Sequence, residues 1–365
     1  MLCQIKSSRG FTMDQIYALE VTLIQFVQDW FRDWAGYLQW VNNVSDPRML
    51  LEFLFPLISI VDSVFAAQML LVLSFGGWFN TVMKWWLLED RPYWWVHETS
   101  FYTSHRPRIR QTRQTCETGP GSPSGHSTAG AATLVLLLMF TSHFMRDRKC
   151  YVRYWKYVMY PLCGAAMASI VLARVYVGAH FPHQCLFGAL IGAFLAPALC
   201  LYVSDPYIWR YGPERCGVVW HVAAAVIAAA IAGVTYGGLK ICGIDPQWTV
   251  KLAFRWCQEP SEIHVTTTPL FSLVQGTAAM LGWALSVTPA VAEYRHYTPH
   301  RSLVIASFTT AVIMYGFQQL SAQVDKNNVY RFYTSHFVLN VVKPALLLRL
   351  TPALAMLPYT KEKID

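Results

Sequence analysis

The sequence predicts an all-α integral membrane protein of about nine transmembrane helices. Three observations carry that prediction. Hydrophobic residues make up 54% of the 365 positions and charged residues only 14%, against roughly a quarter charged in a soluble domain. Long apolar segments recur along the whole chain. The polar residues that remain gather in the connections between those segments. Such a composition excludes an ordinary soluble enzyme, a disordered chain and a coiled coil.

The first element is amphipathic. Over 14–40, Ile16, Leu19, Leu23, Phe26, Trp30 and Trp34 recur at helical spacing, while Glu20, Asp29, Arg32 and Asp33 mark polar faces. That pattern predicts a helix lying on or entering the membrane. Apolar segments follow near 49–62, 64–88, 125–145, 157–177, 184–203, 217–239, 269–287, 302–320 and 336–358. The first is short for a span. In a bilayer each must satisfy its backbone internally, hence helices. The chain is expected to form one multi-spanning domain over 1–365, with 89–124 as a loop beside the site.

Net charge is +8, from 29 Lys and Arg against 21 Asp and Glu. In a membrane protein this excess reads as loop bias and not as a nucleic-acid surface. Arg146, Arg148, Lys149, Arg153 and Lys156 face one acid, Asp147, in the loop after the third span, so that loop is expected in the cytosol. Nine spans then put the C-terminus in the cytosol and loop 89–124 on the opposite side. That loop carries Arg91, Arg106, Arg108, Arg110 and Arg113, against the charge rule, unless its basic residues serve a site. None of the nine cysteines forms a CxxC pair, so a zinc or thioredoxin motif has no support.

Three segments hold residues suited to chemistry. Lys84 and Arg91-Pro92 close the second span: positions seven apart share one helix face, Pro92 should end the helix at Arg91, and two cations at a helix end could grip an anion. Lysine snorkelling into an interface belt is the simpler explanation of that segment taken alone. The small-residue run from Cys116 to His126, including Ser124 and Gly125, leads into the third span. A helix start of this kind offers free N–H groups and a positive dipole end to an anion. A plain Gly/Pro turn with Ser124 as N-cap fits it equally. Arg174, His180, His183 and Gln184 sit in the turn between the fourth and fifth spans. The two histidines have no cysteine or carboxylate beside them in that turn, which argues against a metal pair.

Together, Lys84-x6-Arg91-Pro92, Pro123-Ser-Gly-His126 and Arg174-x5-His180 resemble the type-2 phosphatidic-acid phosphatase superfamily. The stretches from Arg91, Cys116 and His180, with Arg255-Trp-Cys257 and Thr267-Thr-Pro269, resemble the glucose-6-phosphatase catalytic subunits within it. The resemblance runs from about Gln28 to the last span and itself implies nine helices. Two positions depart from the superfamily pattern. Ala173 stands where serine precedes the arginine, and Gln184 stands where an aspartate follows the last histidine; glucose-6-phosphatases share that glutamine.

The resemblance implies a metal-independent phosphatase of the endoplasmic-reticulum membrane that hydrolyses glucose 6-phosphate. Lys84, Arg91, Arg174 and the donors around Ser124 and Gly125 would hold the phosphoryl oxygens. His180 would be the nucleophile and His126 the acid and base. Gln184 is expected to accept the hydrogen on the far nitrogen of His180, and Asp46 to support or orient. No metal or other cofactor is expected. Functional coupling to a glucose-6-phosphate transporter follows from a site facing the lumen, and Lys361 and Lys363 read as a dilysine retrieval signal. Lipid phosphate hydrolysis and a weakly active regulatory relative are the alternatives. Whether Cys116 pairs with Cys257 stays open.

Overall fold

The computed structural model describes residues 11–103, 105–147, 154–209, 218–287 and 302–360. Among these the chain is built of helices and loops. Seven helices are long and apolar enough to cross a membrane, and the protein is an all-α integral membrane protein. They are α4 (Ser63–Leu87), α6 (Gly125–Asp147), α7 (Trp155–Tyr176), α8 (Pro182–Leu199), α9 (Val218–Ile241), α12 (Leu303–Ala322) and α13 (Val329–Thr360). The two other apolar segments are helical but are not among those seven. Residues 47–61 form short pieces ending in α3 (Phe55–Val61), and 269–287 forms α11 (Pro269–Ser286). The basic loop after α6 and the two tail lysines lie largely or wholly outside the described residues.

The chain divides into two compact units, whose boundaries cut through α4, α8, α9 and α11. Unit 2 comprises 48–78, 194–230 and 273–365. Its α12 and α13 pack as a hairpin joined by Ser302 N–H to Ala355 carbonyl at 3.1 Å. Every candidate site residue falls in unit 1, which comprises 1–47, 79–193 and 231–272.

In unit 1 the amphipathic element is α1 (Phe11–Trp30), a 3-10 turn (Arg32–Trp34) and α2 (Ala35–Val44). The apolar residues singled out in the sequence, Ile16, Leu19, Leu23, Phe26, Trp30 and Trp34, are exposed on the outside of the unit. Such a stripe suits lipid contact. The opposite face, Tyr17, Val21, Ile24 and Val27, is buried with Trp95, Phe181 and Val177 in one core cluster, and Gln28 is buried beside it. Burying several side chains of this size against aromatic partners supplies about 1.5–3 kcal/mol each. The site is thus held from below by an aromatic and aliphatic bed.

Close contact between α6 and α8 sets the spacing at the site. A Cβ on Gly192 would lie 2.1 Å from the Thr128 carbonyl oxygen, backbone that cannot yield. Only glycine lets these helices approach so closely. The same contact brings the start of α8, with His183 and Gln184, beside the start of α6.

Candidate phosphoryl-transfer site

Lys84 and Arg91 were expected on one helix face. Instead α4 stops at Leu87, because Leu88 turns into the left-handed region with φ 51°. A non-glycine residue there costs about 1 kcal/mol or more and ends the helix. Glu89 and Asp90 then run without helix structure, and Arg91 is extended at φ −106°, ψ 153°, the residue before α5 (Pro92–Glu98). Proline at the first helical position explains that start. Lys84 stays half-buried on the last turn of α4, with its Nζ 3.7 Å from the point where a side chain on Gly119 would begin.

Arg91 is fully buried, and every polar edge of its guanidinium is used. Nε donates to the Gly119 carbonyl at 2.6 Å, Nη1 to the Ala179 carbonyl at 3.0 Å and Nη2 to the Pro120 carbonyl at 3.3 Å. It also pairs with Glu117 Oε2 at 2.9 Å. Arg174, near the end of α7 and equally buried, pairs with Glu117 Oε1 at 2.6 Å and donates to Asn42 Oδ1 at 2.5 Å. One carboxylate therefore bridges two buried guanidiniums. Burial alone would raise the Glu117 pKa, but Arg174 and Arg91 hold it well below the usual carboxylate range. An Arg–carboxylate arrangement of this kind is the geometry guanidinium also offers to phosphate.

His180 lies in the turn between α7 and α8 with no exposure. Its Nδ1 is 2.7 Å from the Gly121 carbonyl oxygen, so Nδ1–H donates there in the assigned tautomer. Nε2 then carries the lone pair, 3.2 Å from Arg91 Nη1 and 3.7 Å from Glu117 Oε2. Burial and the Arg91 charge hold the imidazole well below the ordinary histidine range, hence neutral. His126, in the first turn of α6, places Nδ1 3.7 Å from Glu117 Oε1. Arg91, His126, Arg174 and His180 meet around the Glu117 carboxylate, with the Lys84 charge near enough to interact with Arg91, Glu117 and Arg174.

The partnership expected between Gln184 and His180 is replaced by others. Gln184 does not meet His180: its Oε1 accepts from Phe181 N–H at 3.2 Å, and its Nε2 donates to Glu89 Oε2 at 2.9 Å and the Asp90 carbonyl at 3.0 Å. A backbone carbonyl, that of Gly121, does the orienting. Gln184 packs against the Cα side of Gly121, where a Cβ would lie 2.6 Å from its Nε2. Ser124 is committed to structure, with N–H to the Gln184 carbonyl at 3.1 Å and Oγ accepting from Ser127 N–H at 3.4 Å as the N-cap of α6. Gly125 opens α6 next to it. Asp46 is half-buried in the turn before Pro47, with its N–H on the Asn43 carbonyl at 3.2 Å.

Sequence reasoning passed over Glu117, Asn42 and Gly121. The one usable signal for Glu117 was an acid inside a loop otherwise built of small and anion-binding residues. The loop itself is tied down at several points. Gln28 receives Arg110 N–H at 3.0 Å and donates to the Arg110 and Tyr176 carbonyls, each at 2.8 Å. Tyr93 Oη donates to the Glu117 carbonyl at 2.9 Å. Cys116 forms a disulfide with Cys257.

This constellation of buried arginines, a neutral histidine and a second histidine at a helix start defines a phosphatase of the PAP2 superfamily, whose family model matches residues 65–208. The chain is 31% identical to mouse glucose-6-phosphatase 3 over 86% of its own length and 87% of that protein's. It is 30% identical to rat glucose-6-phosphatase catalytic subunit 1, covering 81% and 84%, and 30% identical to mouse glucose-6-phosphatase 2, covering 75% and 77%. It belongs to the glucose-6-phosphatase family. No solved structure matches it significantly.

Proposed function

We propose that this phosphatase hydrolyses glucose 6-phosphate to glucose and phosphate through a phosphohistidine on His180, at the lumenal face of the endoplasmic reticulum. The observation that carries the mechanism is the orientation of His180. Its Nδ1–H is tied to Gly121 while Nε2 faces Arg91 and the Glu117 carboxylate that bridges both arginines. Nε2 attacks phosphorus, and the bond to the sugar oxygen breaks as His126 delivers a proton to it. The Gly121 carbonyl then stabilises the positive phosphoimidazole through Nδ1–H. His126, now neutral, takes a proton from the water that attacks phosphorus and cleaves the N–P bond. Lys84, Arg91 and Arg174 spread their charge over the equatorial oxygens, where electrostatic stabilisation of a phosphoryl transition state is concentrated.

The names of the relatives support the sugar phosphate, and the Cys116–Cys257 bridge supports an oxidising compartment for this face. A lumenal site requires the charged sugar to be carried across the membrane, hence functional coupling to a glucose-6-phosphate transporter. A lipid phosphate ester is the second reading. An apolar groove of about 520 Å3 between α6, α7 and α8, lined by residues including Ala131, Leu134, Met167 and Leu190, favours it as a competitor. Phosphate release by purified protein from glucose 6-phosphate and from phosphatidic acid separates the two. Faster turnover of the sugar is expected; preference for the lipid would overturn the substrate.

A further inference from the structure

Glu117 is the anion that the cationic cradle holds in this structure. Each carboxylate oxygen takes one arginine, Oε1 with Arg174 at 2.6 Å and Oε2 with Arg91 at 2.9 Å. The same two oxygens lie 3.7 Å from His126 Nδ1 and His180 Nε2. Two phosphoryl oxygens poised for attack by His180 and protonation through His126 would need these positions. The carboxylate and a phosphoryl group therefore cannot share both arginines.

Glu117 is also placed to leave. It sits on the loop before α6 and not within a helix. Its backbone is fixed by Tyr93 Oη on its carbonyl and by its own N–H to the Thr115 carbonyl at 2.8 Å. Only side-chain torsions need turn, and one fifth of that side chain already reaches the surface. The arginines, in contrast, are anchored by backbone carbonyls and by Asn42, so they keep their places when the carboxylate turns away.

Building on the phosphatase reading, we propose that Glu117 is a resident counter-anion. It bridges Arg91 and Arg174 before substrate enters, is displaced by the incoming phosphoryl group, and returns to help expel inorganic phosphate. It is a positioning residue whose charge sets how tightly this site retains any phosphate. Removing a competing negative charge from a buried site with three cations should tighten anion binding by roughly tenfold or more.

Thermal unfolding of the full-length protein in detergent, titrated with inorganic phosphate and with orthovanadate, tests this, because a ligand that binds the folded state raises Tm. In Glu117→Gln the phosphate-free Tm should fall, since two buried guanidiniums lose their counter-ion. Its phosphate Kd should drop roughly tenfold below the wild-type value. A merely structural glutamate would give equal or weaker phosphate binding in that variant, and that result overturns the proposal. Should Glu117→Gln fail to fold, Glu117→Asp decides, because its shorter carboxylate spans the arginines less well and should also bind phosphate more tightly; unchanged or weaker binding overturns the proposal there too. If the wild type responds to neither anion, the cradle is not a phosphoryl site and the proposed function falls with it. A wild-type response left unimproved by Gln or Asp overturns only the role of Glu117.

Discussion

His180 Nδ1 meets the carbonyl oxygen of Gly121 at 2.7 Å, and this contact decides which ring nitrogen faces the arginines. Gly121 is held in turn by its N–H on the Glu89 carbonyl at 2.8 Å, so the loop before α6 and the end of α4 jointly aim the histidine. A side chain on Gly121 has no room, with the Asp90 oxygen 2.3 Å from its Cβ position. Gly121→Ala should displace the carbonyl and lower kcat on the order of 100-fold, the cost of a misplacement near 1 Å. His180→Ala should abolish both turnover and the acid-labile phosphoenzyme. Rapid-quench trapping of labelled phosphate checks both. Label recovered on His126 would reverse the roles.

Gln184 separates an orienting role from a bracing one. Because it bonds to Phe181, Glu89 and Asp90 and not to His180, Gln184→Ala should chiefly destabilise. Losing three bonds at a buried site corresponds to about 2–3 kcal/mol, read as a lower Tm. The pH dependence of phosphoenzyme formation should stay where it is in the wild type. A shifted pH dependence with unchanged Tm would restore a direct contact between Gln184 and the nucleophile.

The apolar runs made the spans legible, since each α-helix in lipid must be long and continuous. Lys84, Arg91, His126, Arg174 and His180 were legible because local spacing ties each to a helix end. What the spacing did not carry is partnership across the chain. Glu117 takes its meaning from Arg174, 57 positions away, and Gly121 from a histidine in a different turn. Glu20 likewise reads as a solvent-facing charge on α1, yet its Oε2 lies 2.7 Å from His183 Nδ1. The single helix expected over 14–40 is broken by the 3-10 turn at Arg32–Trp34, and its buried face, with Tyr17, Val21 and Ile24, was not read because polar Glu20, Thr22 and Gln25 lie among those residues. Continuation of a helix from Lys84 to Arg91 was also expected; the left-handed turn at Leu88 has no sequence signature, as glycine usually marks such a stop.

The Cys116–Cys257 bridge pins the residue beside Glu117 to the segment after α10 (Trp248–Trp256). It closes a sequence separation of 141 residues. Cys257→Ser should therefore cost about 2–5 kcal/mol, and reduction of the wild type should lower Tm comparably. Mass spectrometry of non-reduced peptides checks the pairing itself. Free Cys116 in folded, active protein would remove this strut from the account.

Burial and Arg91 hold His180 neutral, with a pKa well below its ordinary 6.5. The sign follows directly: a base whose pKa is lowered stays unprotonated, and nucleophilic, as pH falls through 6.5. With an aryl phosphate, whose leaving group needs no proton, the burst of phosphoenzyme formation isolates that step from His126. Plotted against the concentration of substrate dianion, its rate should stay level as pH falls from 8 through 6.5, where an unperturbed histidine would titrate. Stopped-flow measurement of aryl alcohol release across this range decides it. A burst that halves near pH 6.5 would mean that His180 titrates as an ordinary histidine, and that the arginines do not act on it.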